Sequence, residues 1–231
     1  MMATVTAPTL QGMEYSLIVL HDVPWETYCR LNDEESNDSI RMTYLDGDLT
    51  LMSPLMRHDM PIELLGQLVR GVTAGLGIRI MGIRSTTLRR GAAPGQKKGA
   101  GKEPDTAYYL GVNERRMRMR QDLDLSVDPP PDLAIEVEHT NELTELAMEV
   151  YARVGVPEVW RFRVAERSIS IDHLVGDTYE EAARSVAFPR LTPTRTTEAL
   201  DWFEVGDFDE NAWYEWVKAW VQTLPEPDAA A

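Results

Sequence analysis

Two carboxylates in this chain sit where most proteins would avoid them. Glu136 lies inside Leu133-Ala134-Ile135-Glu136-Val137, a run so apolar that it reads as a strand covered on both faces. An ionised glutamate there costs several kcal/mol unless it is paired or bound to a metal. Asp105 follows Pro104 at the start of a second strand, 105–110, which carries the β-favouring Tyr108 and Tyr109. Paired hard oxygen ligands suit Mg²⁺ or Mn²⁺. Such an ion keeps several waters, one of which could attack a phosphodiester while the metal stabilises the developing charge. The plainer alternative is that Glu136 faces solvent at a strand end and Asp105 caps a turn.

Charge is unevenly spread. The 231 residues carry a net charge of −15, which alone argues against nonspecific nucleic-acid binding. Between Arg79 and Arg120, however, 11 basic residues face only three acidic ones, Glu103, Asp105 and Glu114. Within that strip Arg84, Arg89, Arg90, Lys97, Lys98 and Lys102 are the candidate phosphate contacts; a solvated basic loop is the bland reading. One cysteine, Cys29, excludes an intrachain disulfide and a multi-cysteine zinc site. No apolar run approaches the ~18–20 residues of a membrane helix. The first ten residues lack the basic-then-apolar pattern of a secretory signal. A cytoplasmic protein with no membrane partner is expected.

The elements that must position these residues follow from periodicity. Residues 1–11 read as a loose tail, and 24–31 as a short helix with Asp22 available as its cap. Residues 41–53 read as a hairpin turning at Asp46-Gly47. Ile62, Leu65, Val69, Val72 and Leu76 recur at spacings of three and four, so 58–76 is a helix. Short strands at 78–83 and 86–89 precede a polar glycine- and lysine-rich loop, 91–101. Pro129-Pro130-Pro131 leads into the Glu136 strand, and a helix at 141–153 ends at Gly155-Val156-Pro157. Strands follow at 159–163 and 168–174, then weaker strand and loop at 178–187, and helices at 198–202 and 211–224. Trp213, Trp216, Val217 and Trp220 form an apolar stripe on the last helix, suited to core packing or a homodimer contact. The sum is one α/β domain over 1–231, a mixed β-sheet flanked by helices, with its core at about 40–190 and C-terminal helices at about 196–224.

Several segments occur in the order of a known family. They are Tyr44-Leu45-Asp46-Gly47-Asp48-Leu49 through Met52-Ser53-Pro54 with His58; Ser85-Thr86-Thr87-Leu88-Arg89-Arg90; and Glu103-Pro104-Asp105-Thr106-Ala107-Tyr108-Tyr109. Asp128 through Val137 and Tyr151 through Trp160 complete the set. Across roughly 44–189 the chain resembles the Uma-two family of bacterial proteins, placed in the PD-(D/E)XK restriction-endonuclease-like superfamily. The resemblance implies a restriction-endonuclease-like core, a Mg²⁺- or Mn²⁺-dependent endonuclease acting on DNA, and by analogy a homodimer. It makes Asp105 the metal-binding aspartate, Glu136 the first acid of the D/E-x-K element, and His58 the counterpart of a family histidine that orients a metal water or contacts phosphate.

One departure matters. The lysine position of D/E-x-K is Glu138, and the helical position from which relatives often supply a lysine, four residues before Tyr151, is Ala147. No lysine lies between Lys102 and Lys218. Glu138 shares a strand face with Glu136 and is therefore a candidate third metal ligand. Arg89, Arg90 and Lys102 are the candidates to replace the missing cation. The competing expectation is a catalytically degenerate member that binds nucleic acid or protein.

Overall fold

The computed structural model describes residues 4–6, 17–52, 59–84, 86–91, 97–120, 123–138, 141–201 and 208–226. Its strands form two six-stranded sheets. The first contains Thr4–Thr6 (β1), Leu17–His21 (β2), Arg41–Leu45 (β3), Asp48–Met52 (β4), Leu88–Arg90 (β6) and Ala100–Lys102 (β7), ordered β1-β2-β4-β3-β7-β6 and antiparallel throughout. The second contains Ile80–Gly82 (β5), Thr106–Leu110 (β8), Leu133–Glu138 (β9), Glu158–Arg163 (β10), Ser168–Val175 (β11) and Thr178–Glu181 (β12), ordered β12-β11-β10-β9-β8-β5. Among the described residues only β9 and β10 run parallel, so this sheet is mixed. The helices are Trp25–Asn32 (α1), Asp59–Leu76 (α2), Gly111–Met117 (α3), Asn141–Val154 (α4), Pro193–Asp201 (α5) and Glu210–Thr223 (α6).

A parallel pair needs a crossover, and α4 supplies it between β9 and β10. That helix lies between the sheets. Its Ala147, Val150, Tyr151 and Val154 pack with Leu88 and Ala100 of the first sheet and Ala107, Ala134 and Val159 of the second. On the opposite face of the second sheet, α2 and α6 cover Leu133, Ile135, Val137 and Trp160. The expected mixed sheet with helices on both faces is therefore present. Strand alternation sends Leu133, Ile135 and Val137 toward α2 and α6, and Ala134, Glu136 and Glu138 toward α4. A third cluster, Val23, Tyr28, Met42, Tyr44 and Leu49, fills the space between α1 and the first sheet.

The 41–53 hairpin forms as its turn chemistry dictates. Asp46 and Gly47 take φ of 49° and 109°, the double positive φ of a tight hairpin turn. Asp46 also ties that turn to its neighbours, accepting from the Gly99 amide at 3.0 Å and from Arg153 at 3.1 Å. The stripe on α6 divides. Trp213 and Val217 are buried against α2, while Trp216 and Trp220 stack on each other at 5.3 Å on a half-buried flank.

Four expectations need correction. Asp22 does not cap α1; Pro24 stands at that position without a side-chain cap, and Asp22 pairs with Lys97. The tail at 1–11 contributes β1 by pairing with β2. Helix α5 begins at Pro193, five residues before the expected start. Most consequential is the end of the 91–101 loop. Ala100–Lys102 is an interior strand between β3 and β6, not part of a flexible loop. Ala-Gly-Lys has no β-branched residue to announce a strand, and the conformation is fixed by what covers it. A Cβ on Gly101 would stand 2.4 Å from the Tyr28 hydroxyl, so only glycine lets α1 close on β7. Gly101→Ala should cost about 1–3 kcal/mol by overpacking, read as a lower urea midpoint. An unchanged midpoint would refute the close-approach argument.

Candidate active site

The site is built where β7, β8, β9 and α4 meet. Glu136 projects from the centre of β9 toward α4, and its carboxylate is 12% exposed. Both of its oxygens accept from Lys102 Nζ, each at 2.9 Å. The Tyr151 hydroxyl, brought down by α4, donates to Glu136 Oε1, and the Asp105 amide approaches the same oxygen at 3.4 Å. Asp105 answers across the strand pair: its Oδ2 accepts from the Val137 amide at 2.8 Å. The two carboxylates singled out by sequence are therefore neighbours, interlocked through the Asp105 and Val137 amides.

Burial raises the pKa of Glu136 most strongly; Lys102 opposes that shift and Asp105 adds to it. Burial likewise pushes Tyr151 well above an ordinary phenol, with Glu136 reinforcing it, so this hydroxyl remains a donor. Lys102 is 9% exposed and sits 5.3 Å from the centre of the Tyr151 ring, a cation–π contact that shapes one wall of its pocket. The Glu136 charge is thus held by a partner on a different strand and sheet. The ammonium that was missing at 138 and 147 reaches the carboxylate from β7.

Glu138 takes another course. The β9–β10 register places Arg161 opposite Glu136 and Arg163 opposite Glu138. The Glu138 carboxylate, 5% exposed, lies 3.5 Å from each guanidinium, and its Oε1 has no hydrogen-bond partner. Burial raises its pKa while Arg161 and Arg163 pull it back. It lines a groove of about 460 Å³ together with Glu145, Glu149, Arg161, Arg163 and Asp172. Among the described residues, no group of three or more His, Cys, Asp or Glu side chains could hold a metal ion. Glu138 therefore does not close a three-acid set with Asp105 and Glu136, because it has cations of its own. Ala147 is buried in the α4 core, 2% exposed. His58 lies outside the described residues, as does His139.

The basic strip is largely committed to partners within the protein. Arg84 pairs with Glu63, Arg89 with Asp33 and Lys97 with Asp22, while Arg90 donates to the Arg153 and Leu125 carbonyls. Arg79 and Arg118 both hold the buried Glu114, and Arg120 holds Asp128. Lys98 is exposed. Sequence reasoning missed Tyr151, Arg161 and Arg163 as site neighbours. Only the strand register and the crossover helix bring them to Glu136 and Glu138.

The family model Uma2, described as "Putative restriction endonuclease", matches residues 25–205. The chain belongs to the Uma2 family. The Uma2 match spans every element that builds the site, from α1 through α5. A crystal structure of a putative nuclease belonging to DUF820, from Anabaena variabilis ATCC 29413, is 12% identical, with a TM-score of 0.45 over 84% of this chain and 99% of that one. No curated protein matches the chain. No helix among the described residues is long and apolar enough to cross a membrane.

Proposed function

We propose that this Uma2 protein is a divalent-metal-dependent endonuclease that hydrolyses DNA phosphodiesters at Asp105 and Glu136, with Lys102 as its essential cation. The observation that carries this reading is the Lys102 ammonium, 2.9 Å from both oxygens of the Glu136 carboxylate, beside Asp105. The donor set fits Mg²⁺ or Mn²⁺: two adjacent hard carboxylates are what a Mg²⁺ site takes from protein, the remaining positions being filled by water and substrate phosphate. When bound, the ion supplies Lewis acidity and an activated water.

The chain's own groups have definable tasks. The Val137 amide fixes the direction of the Asp105 carboxylate, and Tyr151 fixes that of Glu136. Lys102 neutralises Glu136 in the free protein and, from an enclosed position, offers a positive charge to a phosphate that gathers negative charge during attack. The binding-module alternative drew on a missing lysine and on the net charge of −15; Lys102 beside Glu136 answers the first of these and supports hydrolysis.

Calorimetric titration of Mn²⁺ tests the metal. Wild type should bind one ion per chain, and Glu136→Gln should weaken that binding by at least about tenfold, since even outer-shell partners are worth ~10–100-fold. Equal binding by both would remove the site.

A further inference from the structure

A second pocket lies on the other side of β8. Successive strand residues point to opposite faces, so Thr106 faces α2 while Asp105 faces α4. With Gly66 and Arg70 of α2 and Gly82, Arg84 and Tyr108, Thr106 lines a cavity of about 340 Å³. Thr106 is 1% exposed, yet its hydroxyl has no hydrogen-bond partner among the described residues, and the Tyr108 side chain with which it interacts lines the same cavity. Buried hydroxyls are almost always satisfied, so an orphan aimed into a cavity points to a ligand.

The charges say what kind of ligand. Arg70 and Arg84 both line the cavity, and no carboxylate among the described residues pairs with Arg70. Arg84 pairs with Glu63, but those side chains are 54% and 53% exposed, and so open a pair contributes little and yields to a stronger anion. Glu63 is the one acid lining the cavity among the described residues, and the two guanidiniums outnumber it. The wall stays open at Gly66, where a Cβ would stand 3.2 Å from the Tyr108 hydroxyl. Two guanidiniums, two hydroxyls and space for a tetrahedral anion match a phosphate.

We propose that this pocket is a phosphate-binding site that grips a backbone phosphate of the nucleic-acid strand being cut, one strand residue away from Asp105. It rests on the hydrolase reading and supplies what that reading lacks: a place where the substrate backbone is held outside the metal site. Arg84 was already a candidate phosphate contact from its place in the basic strip. Arg70, Thr106 and Tyr108 were not.

Binding of a short fluorescein-labelled oligonucleotide, without divalent metal, tests this by anisotropy across a salt series. Arg70→Gln/Arg84→Gln should weaken binding by about tenfold or more. The slope of log K against log salt should fall by about 0.7–0.9 for each phosphate that the variant no longer engages. Thr106→Val should weaken binding several-fold while leaving thermal stability equal or higher, because the hydroxyl has no partner to lose. A purely structural threonine would not separate the two readouts. Unchanged affinity and slope in the arginine double variant overturn the proposal. Loss of inorganic phosphate binding in that variant, with the oligonucleotide unaffected, overturns the nucleic-acid assignment. Because no metal is present, weakened binding together with a wild type that cleaves nothing leaves the pocket standing and removes only the hydrolase reading.

Discussion

Lys102→Met should abolish cleavage and weaken the fold together. On the activity side, removing one preorganised charge donor from a dry site costs about 10²–10³ in rate. Lys102 is the only cation that touches Glu136 among the described residues, so no neighbour substitutes for it. On the stability side, the substitution leaves Glu136 enclosed with only Tyr151 and the Asp105 amide donating to it. Breaking one partner of a buried pair typically costs ~3–5 kcal/mol, because the remaining charge is stranded. The double variant Lys102→Met/Glu136→Gln should recover most of that loss while remaining inactive, since two neutral groups of similar size need no counter-charge. Urea midpoints for the four members of the cycle measure the coupling directly. If the two single changes simply add, the pair is not an energetic unit and Lys102 is an incidental neighbour.

The second large effect concerns Glu138→Lys, the substitution that restores the family's D/E-x-K pattern. It should not restore or raise activity. It should unfold the sheet locally, at a cost on the order of 3–5 kcal/mol. The new ammonium would enter a nearly closed position 3.5 Å from Arg161 and Arg163, replacing the one carboxylate that faces both. A loss of roughly 6–20 °C in thermal midpoint is expected, since about 1 kcal/mol moves a protein of this size by ~2–4 °C. A stable, more active Glu138→Lys would show that the Arg161–Arg163 bracket is not what fixes this position, and that Lys102 is not the operating cation.

Those two positions also mark the limit of what sequence could reveal. The Glu136 strand was legible because a charge in an apolar run is expensive, and Asp105 because it opens a tyrosine-rich strand. Their juxtaposition is a register between β8 and β9, where Thr106 pairs with Ile135, and no spacing rule reports it. The long helices were legible from their three-and-four periodicity, and the 41–53 hairpin from Asp-Gly. Strand β7 was not, because Ala-Gly-Lys carries no intrinsic strand preference. Its conformation follows from Tyr28 lying over Gly101. Reading β7 as the end of a loop left Lys102 as one of three candidate cations, with nothing to separate it from Arg89 and Arg90; strand β7 is what brings it to Glu136. The charge of the basic strip misled in a further way: several of its arginines hold acids that are distant in sequence, Arg79 with Glu114, Arg84 with Glu63, and Arg89 with Asp33 across 56 positions. Glu138 was placed correctly on the Glu136 face, but face alone does not decide partners. The parallel neighbour β10 does, and it delivers Arg161 and Arg163.

Single-turnover cleavage of labelled single-stranded and duplex DNA with saturating Mn²⁺, by wild type and Asp105→Asn, bears most directly on the account. Asparagine keeps the acceptor for the Val137 amide and removes only the charge, so the fold should survive. Wild type should cut at least one substrate, and Asp105→Asn should be slower by about 10²-fold or more. Intact substrate with folded wild type, or equal rates for the two proteins, would contradict a phosphodiester hydrolase centred on Asp105, Glu136 and Lys102.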